Sequence, residues 1–175
     1  NGVNWESLGS GASDSILGLT VYNGELIAGG YFTSAGSVPV NKIARWNGSI
    51  WQTLASGVTA FDSFAQVHAL TPLNGELIAG GLFANAGGQT ASNLARWNGG
   101  AWSKFGGGTV DHVFAMTNFR SRLVGGGTFL QSTAVNTQAQ NIVGFDGAEL
   151  RPFGSGMNDA VIALEGFQYP VTNGL

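Results

Sequence analysis

Short apolar runs closed by turn residues recur in the same order along this chain. Residues 23–51 read NGELIAGGYFTSAGSVPVNKIARWNGSIW, and residues 74–102 read NGELIAGGLFANAGGQTASNLARWNGGAW. A looser copy spans residues 122–150 as RLVGGGTFLQSTAVNTQAQNIVGFDGAEL. Runs this short, bounded by Gly, Asn and Asp, predict β-strands. The first run of each unit lies at 16–22, 67–73, 113–119 and 161–167, with a shared core of Val or Ile, any residue, Ala or Gly, then Leu or Met. It is apolar on both faces, as in Ile16, Leu17, Leu19 and Val21, which predicts an inner strand packed between neighbouring sheets.

The second run lies at 25–32, 76–83 and 122–129, each with paired glycines shortly before a Phe. Asn23-Gly24 and Asn74-Gly75 join the first run to the second. Such dipeptides predict two-residue hairpins, because both central positions of a type I′ turn need positive φ. The third run lies at 42–46, 93–97 and 141–145, and Asn47-Gly48, Asn98-Gly99 and Asp146-Gly147 turn it into the fourth run at 51–54, 102–105 and 150–153.

The repeat can be measured at two places. Leu19, Leu70, Met116 and Leu164 are separated by 51, 46 and 48 residues, and Phe32, Phe83 and Phe129 by 51 and 46. Four antiparallel strands at a spacing of roughly 40 to 50 residues predict the blade of a β-propeller. The expected organisation is all-β and a single propeller domain. Residues 1–15 would end a preceding blade and connect onward, three blades would occupy 16–55, 67–105 and 113–153, and 161–175 would begin a further blade. NGVNW at 1–5 matches NGGAW at 98–102, so both ends are expected to fall inside a repeat. Propellers close with about four to eight blades, so further blades are expected from the same chain or from another subunit.

The paired glycines Gly29-Gly30, Gly80-Gly81 and Gly126-Gly127, followed by the aromatics Trp46, Trp97 and Phe145, resemble kelch-type repeats. The fuller pattern LIAGGxF…ARWNGxxW resembles tandem repeats of large secreted bacterial surface proteins and of the fungal Rax2-related cortical-marker family. That resemblance covers nearly the whole chain and implies a kelch-like propeller at the cell surface. The third copy departs from it, with Arg122 where the others have Asn-Gly-Glu and Phe145-Asp146 in place of Trp-Asn.

Composition narrows the function classes. Of 175 residues 29 are Gly and only 10% are charged, which suits many tight turns, and 43% apolar residues suffice for a core. A net charge of −3 with seven scattered Lys and Arg gives no basic field for a phosphate backbone, so nucleic acid is not expected as a partner. No apolar run approaches the roughly 20 residues of a spanning helix, so membrane insertion of this segment is not expected. The absence of Cys removes disulfides and thiol chemistry, and with it the cross-linked cysteine of galactose-oxidase-like copper sites. The low-charge composition, rich in Gly, Ser, Thr and Asn, suits an extracellular or cell-surface protein.

Candidate chemistry is sparse. The GSG runs at 9–11 and 154–156 lack the following Lys and helix that a phosphate cradle needs, so close backbone packing is their expected role. Arg45 and Arg96 precede Trp in matching positions, and a structural pairing with a carboxylate or a ring is expected for them. Glu25 and Glu76 repeat after their turns, as cross-strand pairing would require. Asp14, Asp111 and Asp159 each precede an inner strand, with Asp62 in a longer loop, and each is expected to accept backbone amides. His68 occupies the register of Leu17, Phe114 and Ile162 and is expected near the channel or a blade interface, while His112 stands beside Asp111. Asn47-Gly48-Ser49 fits a glycosylation sequon within a hairpin turn. No catalytic, cofactor-binding or metal-ligating residue is assigned. The expected function is a non-catalytic binding or adhesion scaffold for a protein or glycan. The alternatives are a building unit of a surface assembly or filament, and a fragment of a glycan-active enzyme. Loops 33–40, 84–92 and 130–140, which the copies do not share, are the chief expected ligand contacts, together with the inter-blade loops 9–15, 56–66, 106–112 and 154–160.

Overall fold

A computed structural model describes residues 4–60, 64–129, 140–145 and 149–166. The turn at 146–147, most of loop 130–140, Asp62, and residues 1–3 and 167–175 lie outside the described residues.

The first unit contains β1 (Ile16–Tyr22), β2 (Glu25–Gly30), β3 (Ser34–Ala35), β4 (Val38–Pro39), β5 (Ile43–Trp46) and β6 (Trp51–Thr53). After β7 (Val58–Thr59), the second contains β8 (Gln66–Leu73), β9 (Glu76–Leu82), β10 (Asn85–Ala86), β11 (Gln89–Thr90), β12 (Leu94–Trp97) and β13 (Trp102–Lys104). The third contains β14 (Val113–Phe119), β15 (Arg122–Gly127), β16 (Ile142–Phe145) and β17 (Leu150–Pro152). Their four-stranded sheets run β1-β2-β5-β6, β8-β9-β12-β13 and β14-β15-β16-β17, with antiparallel neighbours throughout. The hairpin chemistry is as expected at the first turn of the first two sheets, with φ of 50° and 78° at Asn23 and Gly24 and of 51° and 82° at Asn74 and Gly75. At the later turns the asparagine works through its side chain: Asn47 Oδ1 accepts the amides of Ser49 and Ile50, and Asn98 Oδ1 those of Gly100 and Ala101.

The sheets stack face to face. Tyr22, Ile27, Ile43 and Leu54 of the first meet Leu70, Leu77, Trp97 and Trp102 of the second. Leu73, Ile78, Leu94 and Phe105 of the second meet Val113, Met116, Leu123 and Leu150 of the third. Paired glycines make the stacking possible. A Cβ on Gly29 would strike Val67, and one on Gly80 would lie 2.8 Å from Val113 Cγ1. The second glycine of each pair faces its own inner strand, where a side chain on Gly30, Gly81 or Gly127 would meet the carbonyl of Ser15, Gln66 or His112. Indole hydrogen bonds repeat across the stack, Trp51 Nε1 donating to the Leu8 carbonyl and Trp102 Nε1 to that of Leu54, each at 2.9 Å.

Two expectations change. Segments 33–40 and 84–92 are not open loops, because β3–β4 and β10–β11 form small hairpins there. Ala12 bridges Ala35 and β10 pairs with β7, so each hairpin is tied to the connector entering its own sheet, and Ala35 and Ala86 are buried. Nor is every inner strand covered on both faces: β8 is buried, whereas Leu19 and Val21 of β1 are 58% and 64% exposed.

Candidate functional site

The inner strands share one irregularity. Register shifts fall between Ile16 and Gly18, between Val67 and Ala69, and between Val113 and Ala115. Each inserts one extra residue, Leu17, His68 or Phe114, at a β-bulge, a device that re-aims a side chain. All three bulges lie where the inner strand begins, at the end of the sheet that also carries the connectors and the β3–β4 and β10–β11 hairpins.

Rings from three sheets converge there. The His68 ring lies edge-on to Phe114 with centroids 5.1 Å apart, to His112 at 6.3 Å and to Tyr31 at 6.5 Å, while His112 stacks on Phe114 at 5.3 Å. Tyr31 follows β2, His68 belongs to β8, and His112 and Phe114 open β14, so each sheet supplies a member. Polar groups fix the imidazoles. His68 Nε2 donates to Gln66 Oε1 at 2.6 Å, and His112 Nδ1 contacts Asp111 Oδ1 at 2.6 Å. Burial, and secondarily the neighbouring His112, hold the His68 pKa below its ordinary value. The equivalent positions in the other copies carry no imidazole, Asp111 is 48% exposed, and the arrangement offers flat rings beside hydrogen-bonding groups.

The other predicted residues have structural partners. Asp14, Asp111 and Asp159 each accept the amide of the next residue, at 2.6, 2.8 and 2.7 Å. Arg45 pairs with Glu25 at 3.2 Å and Arg96 with Glu76 at 3.6 Å, cross-strand on the same face. Among the described residues no group of three His, Asp or Glu side chains is placed to hold a metal. Asn93, which drew no attention in the sequence, is buried: its Oδ1 accepts the Phe83 amide, and its Nδ2 donates to the carbonyls of Thr109 and Asp111. It therefore anchors the connector that carries Asp111 and His112. Its positive φ of 69°, shared by Lys42 at 64° and Asn141 at 68°, marks the position as one that suits Asn.

A cavity of about 600 Å³ lies on the third sheet, against Phe119, Arg122, Val124, Gly144, Arg151 and Phe153. The corresponding positions of the first sheet, Tyr22, Glu25, Ile27, Arg45 and Leu54, enclose only about 90 Å³, because Trp97 of the second sheet covers them. The large cavity is thus a sheet-packing face that no sheet covers among the described residues.

A family model described as a domain of unknown function (DUF5122) beta-propeller matches residues 23–48 and 74–99, which span the second and third strands of the first two sheets. No curated protein matches the chain. Among solved structures, the crystal structure of the computationally designed Ika4 protein is similar, with a TM-score of 0.58 and 16% identity over 94% of this chain and 89% of that one. That likeness concerns the fold alone. Together with the all-β antiparallel sheets, the family match supports propeller-like repeats.

Proposed function

We propose that this propeller segment is a non-catalytic binding scaffold, extracellular or at the cell surface, that holds a protein or glycan at the end where its inner strands begin. The observation that carries the reading is the convergence of Tyr31, His68, His112 and Phe114 from three sheets on bulged strands. Ring faces supply apolar contact at little conformational cost, and the Gln66 and Asp111 side chains beside them suit hydroxyl or amide partners. The repeated residues are absorbed by the scaffold, whereas this cluster is built from positions at which the copies differ.

The test is binding to an immobilised glycan library and to cell-surface protein extract. Wild type is compared with His68→Ala, Phe114→Ala and, at the opposite end of the sheet, Ile50→Ala. Loss of a half-buried anchor ring is expected to weaken binding by about tenfold or more, with Ile50→Ala unchanged. Equal binding by all four proteins would refute the reading.

A further inference from the structure

We propose that Asn47 is the acceptor of an N-linked glycan, carried on the tip of the β5–β6 hairpin. The donor is a polyprenyl-diphosphate-linked oligosaccharide, and the catalyst is a transferase of the secretory compartment. The inference rests on the surface location proposed above and not on the ring cluster.

Asn47-Gly48-Ser49 is the chain's single Asn-x-Ser or Asn-x-Thr sequence. At the matching turns the third residue is Gly100 or Ala148, so the acceptor pattern belongs to the first copy alone. The turn itself explains Asn47 and Gly48, which recur as Asn98 and Gly99 with φ of 98° and 100° at the two glycines. It does not explain the hydroxyl of Ser49. Ser49 gives the turn its amide, a service that Gly100 performs equally well at the same 3.0 Å.

The hairpin holds the acceptor carboxamide in one orientation. Asn47 Oδ1 accepts the amides of Ser49 and Ile50, each at 3.0 Å, and the Asn47 amide donates to the Ile50 carbonyl at 3.3 Å. The oxygen is thereby turned onto the backbone, and Nδ2, the atom that takes the sugar, has no partner among the described residues. Residues 47–50 are all exposed. That exposure does not depend on what packs beside the first sheet. Asn98, Gly99 and Gly100 form the same turn with the first sheet packed alongside, and they are exposed as well.

In the transfer, the bond from the sugar C1 to the diphosphate oxygen breaks and a bond from C1 to Asn47 Nδ2 forms. The lipid diphosphate leaves with the electron pair, and one Nδ2 proton passes to a base of the transferase. The hairpin tip lies at the end of the sheet away from His68 and Phe114, because β5 runs from Ile43, paired with Gly29, to Trp46, paired with Leu26. A bulky, hydrated glycan there stands beside Ile50, which is 57% exposed, and leaves the ring cluster open.

The test is expression of the 175-residue chain behind a cleavable secretion leader in eukaryotic cells, with intact mass read on medium and cell lysate together. Wild type is expected to carry one glycan that peptide-N-glycosidase removes, leaving Asp at position 47. Asn47→Gln and Ser49→Ala are expected to carry none. Gly100→Ser completes the pattern at the second turn, where an added Cβ would meet nothing nearer than Asn98 Oδ1 at 3.8 Å, and is expected to gain a second glycan. Wild type without a glycan in either fraction overturns the proposal, as does a glycan that persists in Asn47→Gln. So does a Gly100→Ser chain that gains none, because this turn would then be no acceptor geometry. The leader supplies the compartment, so an unmodified wild type counts against the Asn47 turn, whereas the surface-scaffold reading stands or falls on the binding assay above.

Discussion

Val67 stands where a Cβ on Gly29 would have to go: that atom would lie 2.9 Å from Val67 Cβ and 3.3 Å from Leu70 Cδ1. The glycine is required by the neighbouring sheet, since its own φ lies outside the left-handed region. Gly29→Ala is therefore expected to overpack the junction and cost about 1–3 kcal/mol in urea unfolding. Adding Val67→Ala should recover part of that loss, giving a positive coupling in a double-mutant cycle. Gly30→Ala should cost more and resist rescue, because its Cβ would meet the backbone of Ser15 and Ile16, which cannot rotate aside.

How far the sequence shows this follows from what kind of signal each feature leaves. The four strands of each sheet announce themselves through apolar runs and Asn-Gly turns, and the glycine pairs through their repetition. The β3–β4 and β10–β11 hairpins do not, because two-residue strands carry no run. Their trace is Ala35-Gly36 and Ala86-Gly87 at matching positions, with Gly36 and Gly87 at φ of 57° and 60°. The ring cluster is half visible. His68 and Phe114 share a register and so must face each other across a junction, but His112 stands two residues earlier. Its stacking on Phe114 follows from the two-residue period of a strand, but the repeat carries no second histidine at that position to draw attention to it.

The indole hydrogen bonds give a second prediction. Trp102 is buried and donates to the Leu54 carbonyl, whose other partner is the Gly57 amide at 3.1 Å. Trp102→Phe keeps a ring in the junction and removes the donor, so a loss of about 1 kcal/mol is expected, with further loss from the smaller ring. Trp5 is fully exposed, and Trp5→Phe should leave the urea midpoint unchanged.

The third sheet enters its first hairpin through Arg120 and Ser121, at φ of 52° and 61°, where the other sheets use Asn-Gly. Left-handed backbone costs a residue with a Cβ roughly 1–2 kcal/mol, less for Asn and nothing comparable for Gly. The double substitution Arg120→Asn with Ser121→Gly is thus expected to stabilise the chain by about 1–2 kcal/mol and to raise the melting temperature. Arg120 also lies 5.2 Å from the Phe119 ring, a partly exposed contact whose loss offsets about 0.5–1 kcal/mol of that gain. A lower melting temperature would show that the arginine contact outweighs the strain.

His68 makes stability depend on pH with a definite sign. Its folded-state pKa is held below 6.5, first by burial and then by His112, and the groups facing it are Gln66 and Tyr31 with the Asp111–His112 pair. Between the folded and unfolded pKa values the unfolded chain binds more protons, so protonation favours unfolding. The stabilisation is complete above the unfolded pKa and is lost as pH falls through the folded one. A lower urea midpoint is therefore expected at about pH 5 than at about pH 7.5, a range above most carboxylate titrations. His68→Phe places at this bulge the residue that Phe114 already provides at the next, so the fold should hold. Its midpoint should then vary less between the two pH values than that of wild type. An unchanged difference would assign the pH dependence to another group, with His112 the next to replace.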